Sequence, residues 1–240
     1  MNDIWGQAIA DYHHGDTEAR LITETQYTEA DDLHVAHLFR SFETMPKLEQ
    51  KALTLCSGKV LDVGCGAGSH ALYLQKEGLE VVGLDHSHAA VKVSQERGLK
   101  EAVQSALLDY SGPTYDTILM LMNGSGIFES VERVTIYLAH LKTLLNHGGQ
   151  VLIDSSDLQY LFDRNPDGSI WVPMDRYYGE LDFTVSYKDF GSETFPWLYL
   201  DPSLFKELCE RSGWKFELVE NGEHFDYLAR LSFDQPDNRP

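Results

Sequence analysis

Lys59–Gly68 reads KVLDVGCGAG, and this stretch decides the fold. Val60, Leu61 and Val63 form an apolar run around Asp62, and Gly64, Gly66 and Gly68 follow at alternate positions. The next residues, SHALYLQKEG, have helical spacing. A buried strand, a glycine turn and a helix start, in that order, bring bare backbone N–H groups against a ligand. A second apolar strand, Glu80–Leu84, ends at Asp85. That is about twenty residues beyond the turn, where a carboxylate suits a ribose diol. The pair reads as half of a nucleoside-binding α/β sheet.

Working downstream, Ser87 and Gly98 have the placement of an N-cap and a C′ residue around a second helix. Glu101–Leu107 is a short third strand. Thr114–Met122, TYDTILMLM, is nearly all apolar, as expected of a strand buried on both faces of a parallel sheet. It runs into the loop MNGSG. Ser130 caps an amphipathic helix carrying Val134, Tyr137, Leu138, Leu141, Leu144 and Leu145, with His147-Gly148-Gly149 as its end. Gln150–Asp154 is the fifth strand. Five alternations of strand and helix predict a doubly wound α/β sheet with right-handed crossovers.

Residues 157–200 change character. GELDFTVSYKDFGSETFPWLYL alternates Leu181, Phe183, Val185 and Tyr187 and turns near Gly191, which predicts an inserted β-hairpin. Asp201-Pro202 starts a helix with an N-cap and a proline at N1. KFELVE and EHFDYLARLSF, joined by Asn221-Gly222, predict an antiparallel C-terminal hairpin at the sheet edge. Residues 1–57 show no strand pattern. Leu33, His37, Leu38, Phe42 and Met45, then Leu48, Ala52 and Leu55, recur at roughly helical spacing and predict two or three helices over the mouth of the sheet. The resulting segments are a helical cap at 1–57, a nucleoside-binding core at 58–156, a β-rich inserted cap at 157–200, a closing helix and hairpin at 201–234, and a disordered tail at 235–240.

At 240 residues the chain has room for one substantial core, and no apolar run approaches the roughly 20 residues that span a bilayer. The N-terminus lacks the basic start and apolar centre of a secretory signal, and three irregularly spaced cysteines imply no disulfide framework, so a cytoplasmic location is expected. A net charge of −19 with no basic stripe speaks against nucleic acid as a partner. A small-molecule substrate is the expectation, with no membrane partner.

Two cofactor classes share this strand–turn–helix entrance. Dinucleotides usually need G-x-G-x-x-G, and here Ser69 stands at the third glycine position. Asp62, two residues before the first glycine, would repel a pyrophosphate but attract a cationic nucleoside. VLDVGCGAGSHALYLQKEGLEVVGLDHS resembles the first motifs of the class I S-adenosylmethionine-dependent methyltransferases, and YDTILMLMN and LKTLLNHGGQVLIDS resemble that family's fourth and fifth strands. The resemblance implies a seven-stranded Rossmann-like methyltransferase sheet and S-adenosyl-L-methionine as cofactor; it says little about residues 1–57 or the inserted hairpin, which the spacing alone predicts as an N-terminal helical lid and a β-hairpin over the cleft. It implies that Gly64, Cys65 and Gly66 cradle the methionine part, with Asp62 oriented to its amino group. Asp85 would hold the ribose hydroxyls, with His86 beside the adenine. Many members have an acidic residue at the end of the third strand; Ala106 stands there, so backbone atoms of Ser105, Ala106 and Leu107, or Asp109, would have to serve. Met122 and Asn123 would lie beneath the sulfonium.

Arg40, on the N-terminal segment, offers a planar fork suited to a carboxylate if it points into the cleft. No general base is singled out: Asn123, Asp154, Ser155, Asp157 and the aromatics of the insertion are all candidates by position. His34 with His37, and His86 with His88, lack a third ligand at recognisable spacing, so no metal is expected. A methyltransferase is therefore the leading reading. A nucleoside-binding scaffold protein and an NAD-dependent oxidoreductase are the rivals.

Overall fold

A computed structural model describes residues 3–167, 169–172 and 176–234; the tail at 235–240 lies outside them. The parallel strands are β3 (Lys59–Val63), β4 (Glu80–Asp85), β5 (Glu101–Gln104), β6 (Tyr115–Met120) and β7 (Leu145–Ser156). The hairpin of β10 (Lys215–Asn221) and β11 (Asp226–Ser232) adds antiparallel to β7. The strand order is β10-β11-β7-β6-β3-β4-β5. Its direction reverses between β3 and β6, and ligands of doubly wound sheets lie outside the carboxyl ends of strands at such a point.

Both faces of the central strands β3, β4 and β6 are buried, which explains the unbroken apolar runs. Leu61, Val82, Ile118 and Met120 pack under α5 (Val131–Thr143) and α6 (Pro202–Arg211). The alternate residues Val60, Val81, Leu119 and Leu152 pack under α2 (Lys47–Leu55) and α3 (Ser69–Lys76). α4 (His88–Glu96) starts and stops as its sequence signals require: Ser87 Oγ accepts from the Ala90 N–H, and Gly98 takes φ 106°. Asp201 Oδ1 likewise accepts from the N–H groups of Ser203 and Leu204 to open α6.

Several expectations are corrected. Residues 1–57 are not wholly helical. Between α1 (Ile4–His13) and α2 lie two strands, β1 (Arg20–Thr25) and β2 (Thr28–His34), followed by 3₁₀ turns at Val35–Phe39 and Phe42–Thr44. The inserted hairpin, β8 (Glu180–Tyr187) and β9 (Gly191–Leu198), turns where expected, but it is half of a four-stranded antiparallel sheet, β2-β1-β8-β9. Ile4, Ala8, Leu21, Val35, Val185 and Tyr187 form its own buried cluster. One cap is thus assembled from both segments.

Smaller differences have local causes. The third strand stops at Gln104, and Leu107–Asp109 is a 3₁₀ turn. α5 ends at Thr143, because Leu145 already pairs with Tyr115 in the sheet. Ser130 makes no side-chain cap; Glu180 Oε1, from the insertion, accepts the Val131 N–H at 2.7 Å instead. The final hairpin turns through 222–225 rather than through Asn221-Gly222 alone.

Candidate active site

The glycine turn leaves β3 at its carboxyl end. Gly64, Gly66 and Gly68 have φ of 72°, 51° and 82°, a region that favours glycine. A side chain added to Gly68 would meet Ser94 at 2.9 Å, so that glycine serves helix packing. Gly64 and Gly66 differ: a Cβ there would find nothing nearer than Ile127 at 3.5 Å or Ile9 at 4.0 Å. Their exposed backbone is the open wall of a cradle. The Cys65 side chain points away from it, towards Gly83 of β4, where a Cβ would stand 2.9 Å from Sγ. Burial pushes the Cys65 thiol well above its ordinary pKa, which suits a packing role and no nucleophile.

Asp85 ends β4 with its carboxylate fixed. Oδ2 accepts the Gly66 N–H and Oδ1 the Ser87 N–H, each at 2.8 Å. A carboxylate has about four acceptor sites, so each oxygen keeps a lone pair for a hydroxyl. Burial raises the Asp85 pKa, opposed by those two N–H groups. The exposed His86 ring lies 3.6 Å from Asp85. Beside it, the Ser105 N–H donates to the Asp85 carbonyl. Ala106 is exposed and Leu107 is buried.

Asp62 is buried near the carboxyl end of β3, just before the turn, and its Oδ2 has no hydrogen-bond partner among the described residues. Burial pushes its carboxyl up to about 6, despite the pull of the nearby His70 charge. A buried orphan acceptor beside a glycine cradle fits a ligand that brings a donor or a positive charge.

Arg40 does approach this region, but its fork is occupied. Nη2 reaches both Glu49 oxygens at 2.5 and 2.7 Å, and Nη1 donates to the His37 carbonyl. His70 Nε2 meets Glu49 Oε2 at 2.9 Å from the other side. Burial alone would raise the Glu49 carboxyl, yet His70 and Arg40 together hold it below its ordinary pKa. Burial opposes the His70 imidazolium, and the Glu49 and Asp62 carboxylates more than offset it, raising its pKa. Sequence reasoning missed Glu49 and His70, which lie on separate helices 21 residues apart in the chain. Arg40 Nε is buried without a partner, so one donor of the guanidinium still faces the interior unpaired.

Met122 and Asn123 follow β6 in the left-handed region, at φ 65° and 61°. Asp154, at the end of β7, imposes that bend by accepting the Gly124 N–H at 2.8 Å and the Met122 N–H at 3.1 Å. Burial pushes Asp154 up to about 6. The other candidate bases have structural partners. Asn123 reaches the Leu198 carbonyl, Ser155 accepts the Leu200 N–H, and Asp157 accepts from the Gln159 N–H and the Tyr178 hydroxyl. A separate cavity of about 580 Å³, lined by Gly58, Asp116, Gln150 and Arg230 among others, opens at the amino ends of the strands and contains none of these groups.

The strand order, the glycine turn and the Asp85 carboxylate together define a class I S-adenosylmethionine-dependent methyltransferase. The comparisons agree. A family model described as "Methyltransferase domain" matches residues 28–232, and the chain belongs to that family. The chain is 43% identical to an S-adenosylmethionine-dependent methyltransferase from Bacteroides fragilis, solved in complex with S-adenosyl-L-homocysteine. That match covers 98% of this chain and 96% of the other, with a TM-score of 0.90. Among curated proteins it is 30% identical over 111 residues to ribosomal RNA small subunit methyltransferase C of Alcanivorax borkumensis. It is 34% identical over 101 residues to the probable S-adenosyl-L-methionine-dependent methyltransferase TehB of Haemophilus influenzae. These two matches cover 43% and 40% of this chain. They span 34% and 35% of those relatives, about a third of their length.

Proposed function

We propose that this chain binds S-adenosyl-L-methionine across the glycine turn and transfers its methyl group to a small-molecule acceptor. One observation carries the reading: Asp85 is held by the Gly66 and Ser87 N–H groups with a lone pair free on each oxygen, beside glycines whose faces are open. S-adenosylmethionine, when bound, supplies an electrophilic methyl carbon on a sulfonium. Asp85 holds the ribose hydroxyls, Asp62 receives the ammonium directly or through water, and the backbone of Gly64, Cys65 and Gly66 follows the methionine part. His86 and Ser105 to Leu107 border the adenine. The partners of Arg40 argue against a bidentate grip on the methionine carboxylate; its unpaired Nε leaves one donor for that group. Met122 and Asn123 are fixed at the end of β6, where the reacting carbon belongs.

In the transfer, an acceptor lone pair forms a bond to the methyl carbon as the carbon–sulfur bond breaks and its electron pair passes to sulfur. Alignment of the two partners can be worth about 7–11 kcal/mol. The charge of −19 weighs against an RNA acceptor despite the named ribosomal RNA relative, since phosphate contacts need clustered Lys and Arg. Cys56, Cys65 and Cys209 are free thiols, which supports a reducing, cytoplasmic setting.

The test is incubation of the protein with S-adenosylmethionine and either a metabolite extract or ribosomal RNA, with mass spectrometry of the products. Formation of S-adenosylhomocysteine with one methylated small molecule is expected. Methylated RNA would overturn the acceptor class. The structural duties of Asn123, Asp154, Ser155 and Asp157 favour one second reading, a nucleoside-binding protein without a transfer step; it predicts binding of the cofactor with no turnover on any acceptor.

A further inference from the structure

α1 and α4 lie side by side, packed on Ala67 of the glycine turn through Ile9, Ala90 and Val93, and end together. At their amino ends the Asp3 Oδ2 accepts from Ser87 Oγ at 2.8 Å and from the Ala89 N–H at 3.2 Å. At their carboxyl ends His13 Nε2 and His14 Nε2 each stand 3.3 Å from the same oxygen, Oε2 of Glu96. All three ligand atoms lie within 4.8 Å of one another. We propose that His13, His14 and Glu96 form a binding site for a zinc-like divalent cation that fastens α1 to α4.

The distances carry the argument. Zinc takes imidazole nitrogen and carboxylate oxygen at about 2.0–2.2 Å in tetrahedral geometry, so adjacent ligand atoms stand about 3.3 Å apart. Both nitrogen–oxygen separations have that value, whereas a charge-assisted imidazole–carboxylate hydrogen bond would be closer to about 2.8 Å. Three protein ligands of this type leave a fourth position for water. The surroundings favour a cation as well. Glu96 closes α4, and His13 closes α1 with His14 as its C-cap, so the partial negative charge of two helix ends points at one spot. The His13 ring is held parallel to Phe39, at 6.4 Å between centroids, and the Arg97 guanidinium covers that phenyl ring at 4.6 Å. Arg97 itself is directed away, onto the Ala67 carbonyl and Ser69. Lys92 approaches only the other Glu96 oxygen, at 3.7 Å. His34 with His37 and His86 with His88 take no part in this trio; its carboxylate ligand, Glu96, comes from a helix far along the chain from His13 and His14.

The test uses the full chain without a purification tag, in a buffer that binds no metal. Titration with zinc chloride, followed by calorimetry, should show one saturable site, and cobalt chloride should give the strong visible absorption of tetrahedral cobalt. Zinc should raise the melting temperature. His14→Ala and Glu96→Gln change exposed side chains, at 60% and 35% exposure, and are expected to melt like the parent without metal. Each should weaken zinc at least tenfold and remove the temperature shift, while His147→Ala should change neither. Absence of a saturable site in the parent, or a site that persists in both variants, overturns the proposal.

Discussion

In the seven-stranded sheet, β3, β4 and β5 are consecutive along the chain and each pairs in parallel with the next. In the four-stranded cap, β1 at Arg20–Thr25 pairs with β8 at Glu180–Tyr187, and all five parallel strands of the core lie between them in the chain. The two regions teach different things about how a sequence stores its structure. The central core strands β3, β4 and β6 are buried on both faces, so each declares itself by its own apolar run. Cap strands become stable only once distant segments meet over the carboxyl edge of the core. Glu49 joins the two, since it is bound by Arg40 from the cap side and by His70 at the start of α3.

The contrast is sharpened first by equal truncations. Ile118 in β6 and Leu21 in β1 are both fully buried. Ile118→Ala should cost about 3–4 kcal/mol of global stability, read from urea denaturation. Leu21→Ala should instead speed amide exchange in β1 and β8 while leaving β3 and β6 protected. Equal loss of protection in both sheets would mean that the cap and the core unfold as one.

Glu49→Gln removes the negative charge that Arg40 and His70 share, in a pairing that leaves the Arg40 and Glu49 side chains only 9% and 7% exposed. Breaking one partner of such a network should cost about 3 kcal/mol, visible as a lower urea midpoint. A loss under about 1 kcal/mol would show that the junction is solvated.

A pH series tests the buried Asp62. Its folded pKa is pushed up to about 6 from an ordinary 3.8, so between those values the folded state holds a proton that the unfolded chain has lost. Its contribution is therefore complete below about 3.8 and is lost as pH rises through about 6. Asp62→Asn should gain melting temperature relative to the parent across that window, and the difference should be flat above about pH 7. The smallest effect belongs to the link between insertion and core: Glu180→Gln weakens the cap of α5 and should cost about 1 kcal/mol by chemical denaturation.

The core was legible because its physics is local. The run of Val60, Leu61 and Val63, the turn glycines and the strand-end Asp85 state strand, turn and ligand site within one segment, and Ser87 and Asp201 mark helix starts by bonds to their own neighbours. β2 reads TEADDLH and has almost no apolar pattern, because it is a solvent-facing edge strand whose partner supplies the order. The helical spacing of Leu33 to Met45 came from residues that fill clusters under different elements, not from one helix face. Arg40 stands out in the sequence as a charge among apolar residues. Its engagement by Glu49, which His70 meets from the other side, could not be read, since that contact exists only in three dimensions.

Calorimetric titration of S-adenosylhomocysteine into the parent chain and into Asp85→Ala tests the central claim most directly. A single site in the parent, weakened at least a hundredfold in a variant that remains folded, is the predicted result. A folded parent that binds nothing, or a variant that binds equally well, would contradict the account.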